Sequence, residues 1–261
     1  MRSLCLFSDV DNGGNGEQCW RVTSLPPYRV DWQAADVIPA TDASGFMTHY
    51  PVRLADGCRL CLPLTPLPGG EKAVALLMSN QTSFAVERNL AERMTASARA
   101  VAPEVVVGIP TLGLTYARPV AEALGLGDFV ALGHSRKFWY DDALSESVVS
   151  STSPDQSKRV YLDPALLTRV RARRVVVIDD VLNTGNTMAA ALRLLSKAQA
   201  SIAGIIVVLT EGWDWHAKLA EIDTAIPKMV RALGHIPLFA RSEAGWTPIA
   251  DTEAGAGPTT T

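Results

Sequence analysis

The sequence predicts an α/β protein whose core is a doubly wound, mainly parallel β-sheet. Its apolar runs are short, rich in β-branched residues and uninterrupted by polar residues, which is typical of strands covered on both faces. Segments with helical spacing separate these runs along the middle of the chain. Strands that alternate with helices in this way form parallel sheets.

Each expected element follows from its own local pattern. Residues 174–178 form the clearest buried strand, and residues 84–100 carry the apolar spacing of an amphipathic helix. Gly125 marks the end of the helix predicted before it. In chain order, we expect helices at 84–100, 116–124 and 188–197, and strands at 105–107, 129–132, 158–162, 174–178 and 202–209.

Before this alternating region, the pattern indicates a β-hairpin. Residues 47–54 alternate, Asp56-Gly57 can supply the positive φ angles of a tight turn, and residues 59–64 run back. Residues 1–42 have no sustained period and are expected to form an irregular extension that lies on the main body. The small polar residues of 254–261 predict a frayed tail.

A serine-rich segment at 135–160 fits neither element well, apart from the strand predicted near its end. A segment of this length within a compact α/β domain favours a lid or an active-site loop. A plain surface insertion is the alternative.

The composition excludes several classes of function. Lysine and arginine total 24 against 27 for aspartate and glutamate, so the net charge is −3, which argues against a binder of nucleic acid or anionic membranes. No apolar run approaches the roughly 18 residues of a membrane span, and the first apolar stretch is too short for a signal peptide. The sequence therefore predicts a soluble, cytoplasmic globular protein.

The four cysteines, Cys5, Cys19, Cys58 and Cys61, all lie in the first quarter of the chain. Cys58 and Cys61 have the spacing of a zinc knuckle or a redox pair. However, no second close pair completes a knuckle, and the pair does not stand at a helix start, where such redox chemistry is placed. Buried or incidental thiols are favoured, with metal binding and redox chemistry as the alternatives.

One stretch, residues 175–187, combines an apolar strand, two adjacent carboxylates and a polar loop that opens a helix. Backbone N–H groups at a helix start, with threonine hydroxyls, form an anion site, and Gly185 allows a phosphate to approach the backbone. Asp179 and Asp180 would repel a phosphate, so we expect them to accept hydrogen bonds from sugar hydroxyls. A diol beside a phosphate is what ribose 5-phosphate offers, and such ligands bind at the carboxyl ends of strands.

This stretch resembles the phosphoribosyl-pyrophosphate signature of the type I phosphoribosyltransferases, an apolar run followed by two acids and Thr-Gly-x-Thr. The resemblance implies that Asp179 and Asp180 hold the ribose hydroxyls as catalytic residues and that the loop binds the 5-phosphate. Asn186 stands where the family usually has a second glycine. The residues expected to bind phosphoribosyl pyrophosphate are Val181, Leu182, Asn183, Thr184, Gly185, Asn186 and Thr187.

Two further segments occur in the order that the resemblance requires. The first follows a strand and precedes a helix, where the family has its pyrophosphate-binding loop. Its residues are Pro110, Thr111, Leu112 and Gly113. The second is Arg136 and Lys137, where relatives carry an Arg-Lys pair at the base of the lid, and these residues are expected to assist catalysis by neutralising the pyrophosphate. Taken alone, the two segments could be an ordinary loop and solvated surface charge.

The resemblance covers about half of the chain, and the lid is most similar to those of the adenine and xanthine phosphoribosyltransferases. It implies transfer of the phosphoribosyl group to a nucleobase, a purine above all, with release of pyrophosphate, as in nucleotide salvage. Mg²⁺ would be held mainly by substrate oxygens, with Asp179 and Asp180 as candidate protein ligands. A homodimer is the expected assembly. An orotate enzyme, a non-catalytic regulator that binds phosphoribosyl pyrophosphate, and a synthetase or hydrolase on the same core stay open as alternatives.

The family builds a variable hood outside the core that selects the base, and residues 45–70 and 211–239 are the candidates here. Trp213 follows a core strand, so it could stack on a base or could pack the hood onto the core. The resulting division has four parts: an extension with the hairpin at 1–82, a core at 83–210 including the lid loop at 135–160, a hood segment at 211–250 and a flexible tail at 251–261.

Overall fold

A computed structural model describes residues 28–33, 45–148 and 158–258 of the chain. Most of the predicted N-terminal extension, with Cys5 and Cys19, lies outside the described residues. Within them, a five-stranded parallel sheet carries helices on both faces, and a second sheet is antiparallel.

The elements of the described residues are as follows. The strands are β1 Asp31–Gln33, β2 His49–Arg53, β3 Arg59–Pro66, β4 Lys72–Ala75, β5 Val105–Gly108, β6 Val130–Ala131, β7 Ser145–Val148, β8 Lys158–Tyr161, β9 Arg174–Leu182, β10 Ser201–Glu211, β11 Val230–Ile236, β12 Phe239–Ser242 and β13 Gly245–Pro248. The α-helices are α1 Phe84–Arg99, α2 Leu114–Ala123, α3 Leu167–Val170, α4 Asn186–Lys197 and α5 Asp214–Ala220. Short 3₁₀ turns occur at Ser79–Gln81, Asp142–Leu144, Pro164–Leu166, Ile226–Met229, Ala250–Thr252 and Ala254–Ala256.

The parallel sheet has the strand order β11-β10-β9-β5-β6. Successive residues of its strands face opposite sides, so each strand contributes to two apolar cores. Val106 and Val176 pack in one core with α1 and α2, whereas Val105 and Val177 pack in the other with α4. This arrangement confirms the doubly wound parallel sheet predicted from the sequence.

The antiparallel sheet has the order β1-β3-β4-β12-β13, with β2 paired to β3 as well. The predicted hairpin is confirmed, because Tyr50 of β2 is opposite Leu62 of β3 and Gly57 in the turn has a φ of +85°. Phe239 of β12 meets Tyr50 in an edge contact with ring centroids 5.0 Å apart. This aromatic contact helps to hold β2 and β12, which are far apart in the sequence, in one sheet.

The segment 211–250, which was expected to be the C-terminal part of the hood, is divided between the two sheets. β11 pairs in parallel with β10, placing Ala232 beside Val207, whereas β12 and β13 belong to the antiparallel sheet. The sequence pattern missed β11 because an edge strand is only half covered, so polar residues interrupt its apolar run.

The serine-rich segment contains a strand that the pattern did not predict. β7 pairs with β8 in a hairpin, and its residues Ser-Glu-Ser-Val carry too few apolar side chains to be recognised. Glu146 of β7 connects the hairpin to α4 through two salt bridges. Its Oε1 lies 2.6 Å from Lys197 Nζ, and its Oε2 lies 3.5 Å from Arg193 Nε. Residues 149–157 lie outside the described residues.

The tail was expected to fray, but its described part, residues 251–258, contacts β11 and Trp213. His235 Nε2 donates to the carbonyl oxygen of Thr252 at 2.7 Å, and Trp213 Nε1 donates to that of Glu253 at 3.0 Å. These two hydrogen bonds stabilise an ordered conformation that the small residues of the tail would not adopt by themselves.

Cys58 and Cys61 are not joined by a disulfide. No group of three or more potential metal-ligating side chains occurs among the described residues. In the same part of the chain, none of the helices is both long and apolar enough to cross a membrane.

Candidate active site

A cleft of about 250 Å³ opens at the carboxyl edge of the parallel sheet. Two of the predicted loops meet there, the loop that follows β5 and the loop between β9 and α4. The residues that line the cleft are Ile109, Pro110, Thr111, Leu112, Asp179, Asp180, Val181, Leu182, Asn183, Thr184, Gly185, Asn186, Thr187 and Met188. The structure therefore brings together in one cleft the predicted signature and three of the four residues of the predicted pyrophosphate loop.

Asp179 and Asp180 lie within β9, which continues to Leu182, rather than after a strand that ends at residue 178. Each is 8% exposed. The backbone N–H of Asp180 donates to Asp179 Oδ1 at 2.9 Å, and the Ser79 hydroxyl donates to Asp180 Oδ2 at 3.4 Å. The two carboxylates are thus held by the strand and its neighbours before any ligand binds.

Burial raises the pKa of both carboxyls, and the nearby charge of Asp180 raises the pKa of Asp179 further. Two adjacent buried carboxylates therefore resist carrying two negative charges. A ligand that brings hydroxyl donors or a cation relieves this cost, so the pair favours a sugar diol or a metal-chelated ligand over a bare anion.

The loop after β5 is fitted closely to β9. The backbone N–H of Ile109 donates to the carbonyl oxygen of Ile178 at 3.0 Å, and the peptide bond between Pro110 and Thr111 is cis. Gly113 does not line the cleft, but it caps α2 and packs directly against Asp179. The loop and the carboxylate pair therefore form one unit.

Gly185 forms the turn from β9 into α4 with a φ of +78°. A Cβ atom at this position would stand 3.1 Å from Trp215 Cα, so α5 also packs closely behind the turn. The carbonyl oxygen of Gly185 accepts from Ala189 at 2.8 Å, which starts the helix and leaves the N–H groups of the first turn without helical acceptors. These groups can bind an anion in the cleft.

Asn186 is the first residue of α4 and adopts a helical backbone conformation. The glycine that the family usually has here is therefore not required by backbone conformation in this chain. The amide donor of the position is kept.

Arg136 and Lys137 are not brought to the cleft. Arg136 is exposed, and its Nε lies 2.7 Å from Asp142 Oδ1. Trp213 is also elsewhere, since its ring stacks on His235 with centroids 4.7 Å apart. A Cβ atom at Gly257 would stand only 2.6 Å from the same ring. The described tail therefore packs directly on Trp213.

Two buried groups beside the cleft were missed by sequence reasoning, and each contacts a residue that lines it. Glu211 ends β10 and is 6% exposed, and its Oε1 has no hydrogen-bond partner among the described residues. Burial raises the pKa of Glu211 to about 7, although a hydrogen bond from Asn183 acts in the opposite direction. An apolar run ending in a carboxylate could have indicated Glu211, whereas nothing in the local sequence indicates Ser79.

Comparisons with known proteins place the chain in a family. A family model described as the phosphoribosyl transferase domain matches residues 76–231. The adenine phosphoribosyltransferase of Roseiflexus sp. (strain RS-1) is 28% identical over 149 residues, which are 57% of this chain and 81% of that protein. The adenine phosphoribosyltransferase of Kineococcus radiotolerans is 32% identical over 148 residues, 55% of this chain and 73% of that protein.

A third relative has a different name. The protein named "Probable purine biosynthesis transcriptional regulator PurR" from Streptococcus pneumoniae serotype 4 is 25% identical over 170 residues, 65% of this chain and 58% of that protein. The family model nevertheless spans more than half of this chain and includes every residue that lines the cleft. This protein belongs to the phosphoribosyl transferase domain family.

Proposed function

We propose that this protein is a phosphoribosyltransferase that joins a purine base to the ribose 5-phosphate group of phosphoribosyl pyrophosphate and releases pyrophosphate. The observation that carries the proposal is that the carboxylate pair, the helix N-terminus and the loop after β5 meet in one cleft. Adenine is the first base to test. The two relatives whose own length is matched over 81% and 73% are both named adenine phosphoribosyltransferases.

Each part of the cleft has a role in this reaction. Asp179 and Asp180 accept hydrogen bonds from the ribose hydroxyls, and the loop at 183–187 binds the 5-phosphate through its amides and threonine hydroxyls. The loop at 110–113 binds the pyrophosphate. The transition state resembles an oxocarbenium ion with a departing anion, so preorganised donors contribute more than a protein nucleophile would.

The donor set fits Mg²⁺ when most of its ligands come from the substrate. Asp179 and Asp180 are two adjacent carboxylates at the cleft, and hard cations prefer oxygen ligands. Bound there, Mg²⁺ would neutralise charge on the diphosphate. The buried carboxylates would orient the ribose and accept its hydroxyl donors.

The lid contributes two cations in this proposal. Arg136 exchanges its contact with Asp142 for the pyrophosphate when the lid closes, and Lys137 adds a second positive charge. Closure also excludes water, which would otherwise hydrolyse the activated sugar.

The protein acts as a cytoplasmic homodimer, and its partners are phosphoribosyl pyrophosphate and the nucleobase. The antiparallel sheet forms the hood. Trp213 packs against His235 and does not stack on the base.

A second candidate is a regulator that binds phosphoribosyl pyrophosphate without catalysis. The similarity to a protein named as a transcriptional regulator favours it. Such a protein would bind the same ligand in the same cleft but would leave it unchanged.

Release of pyrophosphate separates the two candidates. The protein is incubated with phosphoribosyl pyrophosphate, Mg²⁺ and each of adenine, hypoxanthine, guanine, xanthine and orotate in turn. Pyrophosphate release with a purine, accompanied by the matching nucleotide, supports the proposal, and release with orotate alone contradicts the purine assignment. Binding of phosphoribosyl pyrophosphate without release for every base supports the regulator.

A further inference from the structure

Ser79 makes a contact that links the turn before α1 to the carboxylate pair. Its side chain is 1% exposed, and its hydroxyl donates to Asp180 Oδ2 at 3.4 Å. Ser79 opens the 3₁₀ turn between β4 and α1, which places it outside both of the loops that line the cleft. A buried hydroxyl that contacts a buried carboxylate fixes the rotation of that carboxylate.

Tyr116 completes a cluster of hydroxyls around the same contact. It lies on α2, is fully buried and has no hydrogen-bond partner for its hydroxyl among the described residues. Burial raises the pKa of the Tyr116 phenol, and the charge of Asp180 adds to the effect while the Ser79 hydroxyl opposes it. The phenol therefore keeps its proton and can donate a hydrogen bond.

The turn that carries Ser79 is itself held in place. The backbone N–H of Met78 donates to the Tyr28 hydroxyl at 2.7 Å. The Thr82 hydroxyl donates to the carbonyl oxygen of Ser79 at 2.9 Å. Hydrogen bonds therefore fix the backbone before Ser79 and at Ser79 itself. A group that positions another side chain needs such a rigid support.

We propose that Ser79 is a positioning residue for Asp180 and that Tyr116 supports it by donating a hydrogen bond to Ser79 Oγ when phosphoribosyl pyrophosphate binds. The inference rests on the proposed role of Asp180 as the acceptor for the ribose hydroxyls. With Oδ2 held by Ser79, the carboxylate presents a fixed orientation to the diol. Ser79 then donates to Asp180 and accepts from Tyr116, which uses the otherwise unpartnered phenol.

Two variants and a matched control test this relay. Ser79→Ala removes the contact with Asp180, and Tyr116→Phe removes only the unpartnered hydroxyl. Thr95→Val is the control, because Thr95 is also a buried hydroxyl next to this core, but it donates to the carbonyl oxygen of Ala91 at 2.8 Å, within α1. The dissociation constant for phosphoribosyl pyrophosphate with Mg²⁺ is measured by calorimetry, together with the thermal midpoint and the KM for each substrate.

We expect Ser79→Ala to weaken binding of phosphoribosyl pyrophosphate about tenfold, since a hydrogen bond to a charged group is lost. Tyr116→Phe should weaken it about threefold without lowering the thermal midpoint, because the hydroxyl lost has no partner in the free protein. The KM for the base should stay unchanged in both. The double variant should bind like Ser79→Ala alone, because Tyr116 acts through Ser79.

Affinity within twofold of the original protein for Ser79→Ala would overturn the inference, and so would equal losses in Thr95→Val. A fully additive double variant would overturn the relay through Tyr116. The original protein is measured first, and its failure to bind phosphoribosyl pyrophosphate would overturn the proposed function together with this inference. Binding by the original protein that Ser79→Ala leaves intact overturns the inference alone.

Discussion

Gly113 lies so close to Asp179 that a Cβ atom built on it would stand 2.7 Å from Asp179 Oδ1 and 2.8 Å from Asp179 Cα. The backbone of Gly113 has φ −61° and ψ −24°, which any residue can adopt. Glycine is therefore needed here for space and not for conformation. The loop after β5 therefore packs directly against the carboxylate pair.

Gly113→Ala should separate the loop from Asp179. The added methyl group meets backbone as well as side-chain atoms, so overpacking should cost about 1–3 kcal/mol of stability. Affinity for phosphoribosyl pyrophosphate should fall at least about tenfold, as measured by calorimetry. Gly127→Ala is the matched control, because a Cβ atom there meets nothing within 4 Å. Equal affinities for the two variants would contradict the role given to this contact.

Gly185→Ala should damage the phosphate loop specifically. Gly185 and Gly125 share a φ of +78°, so alanine at either position should cost about 1–2 kcal/mol in free energy of unfolding. Only at Gly185 does the new Cβ atom meet α5, at 3.1 Å from Trp215 Cα. We expect both variants to be less stable in urea denaturation, but only Gly185→Ala to lose affinity for phosphoribosyl pyrophosphate. A similar loss of affinity in Gly125→Ala would show that backbone strain alone explains the effect.

Asp180→Asn should nearly abolish turnover. An amide in this position can donate where the ribose hydroxyls need an acceptor, and it removes a charge that faces the positive transition state. Pyrophosphate release under saturating substrates measures the loss, which we expect to exceed about a hundredfold, or about 2.7 kcal/mol. Asp128→Asn, at an exposed aspartate paired with Arg169 at 3.2 Å, is the control. Turnover and ligand affinity that both stay unchanged in Asp180→Asn would refute the assigned role.

Glu211 should make the folded protein less stable as the pH rises. Burial raises its pKa to about 7 from its ordinary value of 4.5, so between these values the folded protein binds a proton that the unfolded chain has released. Stability is therefore greatest below pH 4.5 as far as this group is concerned, falls through the interval and levels off above pH 7. The full effect corresponds to about 3 kcal/mol.

Glu211→Gln should remove this part of the pH dependence. Urea denaturation near pH 5.5 and pH 8 gives the change in the free energy of unfolding for the variant and the original protein. We expect the variant to gain stability relative to the original protein at the higher pH. The exposed Glu122, changed to Gln, provides the control for loss of a negative charge. An identical pH dependence in the original protein and Glu211→Gln would contradict the prediction.

The fold and the cleft were predictable where the information is local. The run from Val175 to Thr187 contains its own strand, acids, turn glycine and helix start, so it could be interpreted without knowing what packs against it. The same holds for the hairpin around Gly57, because a tight turn between alternating segments needs no distant partner.

The rest depends on contacts between distant parts of the chain. Ser79 and Asp180 are 101 positions apart, and no pattern around Ser79 marks it as part of the cleft. β11 is an edge strand whose polar residues hide its periodicity. Trp213 stood at the end of a core strand, where a ligand-stacking role was reasonable. Its partner, His235, comes from β11, the strand that the pattern did not show.

The docking of the C-terminal segment has a practical consequence for handling this protein. His235 and Trp213 both donate to backbone carbonyls of residues 252–253. Residues 252–253 therefore connect β11 to the loop that precedes α5. Cutting the chain after Ile249 would leave two donors without acceptors and uncover one face of an indole ring. An affinity tag should therefore be placed beyond residues 250–258 through a spacer, and these residues should be kept in any crystallisation trial.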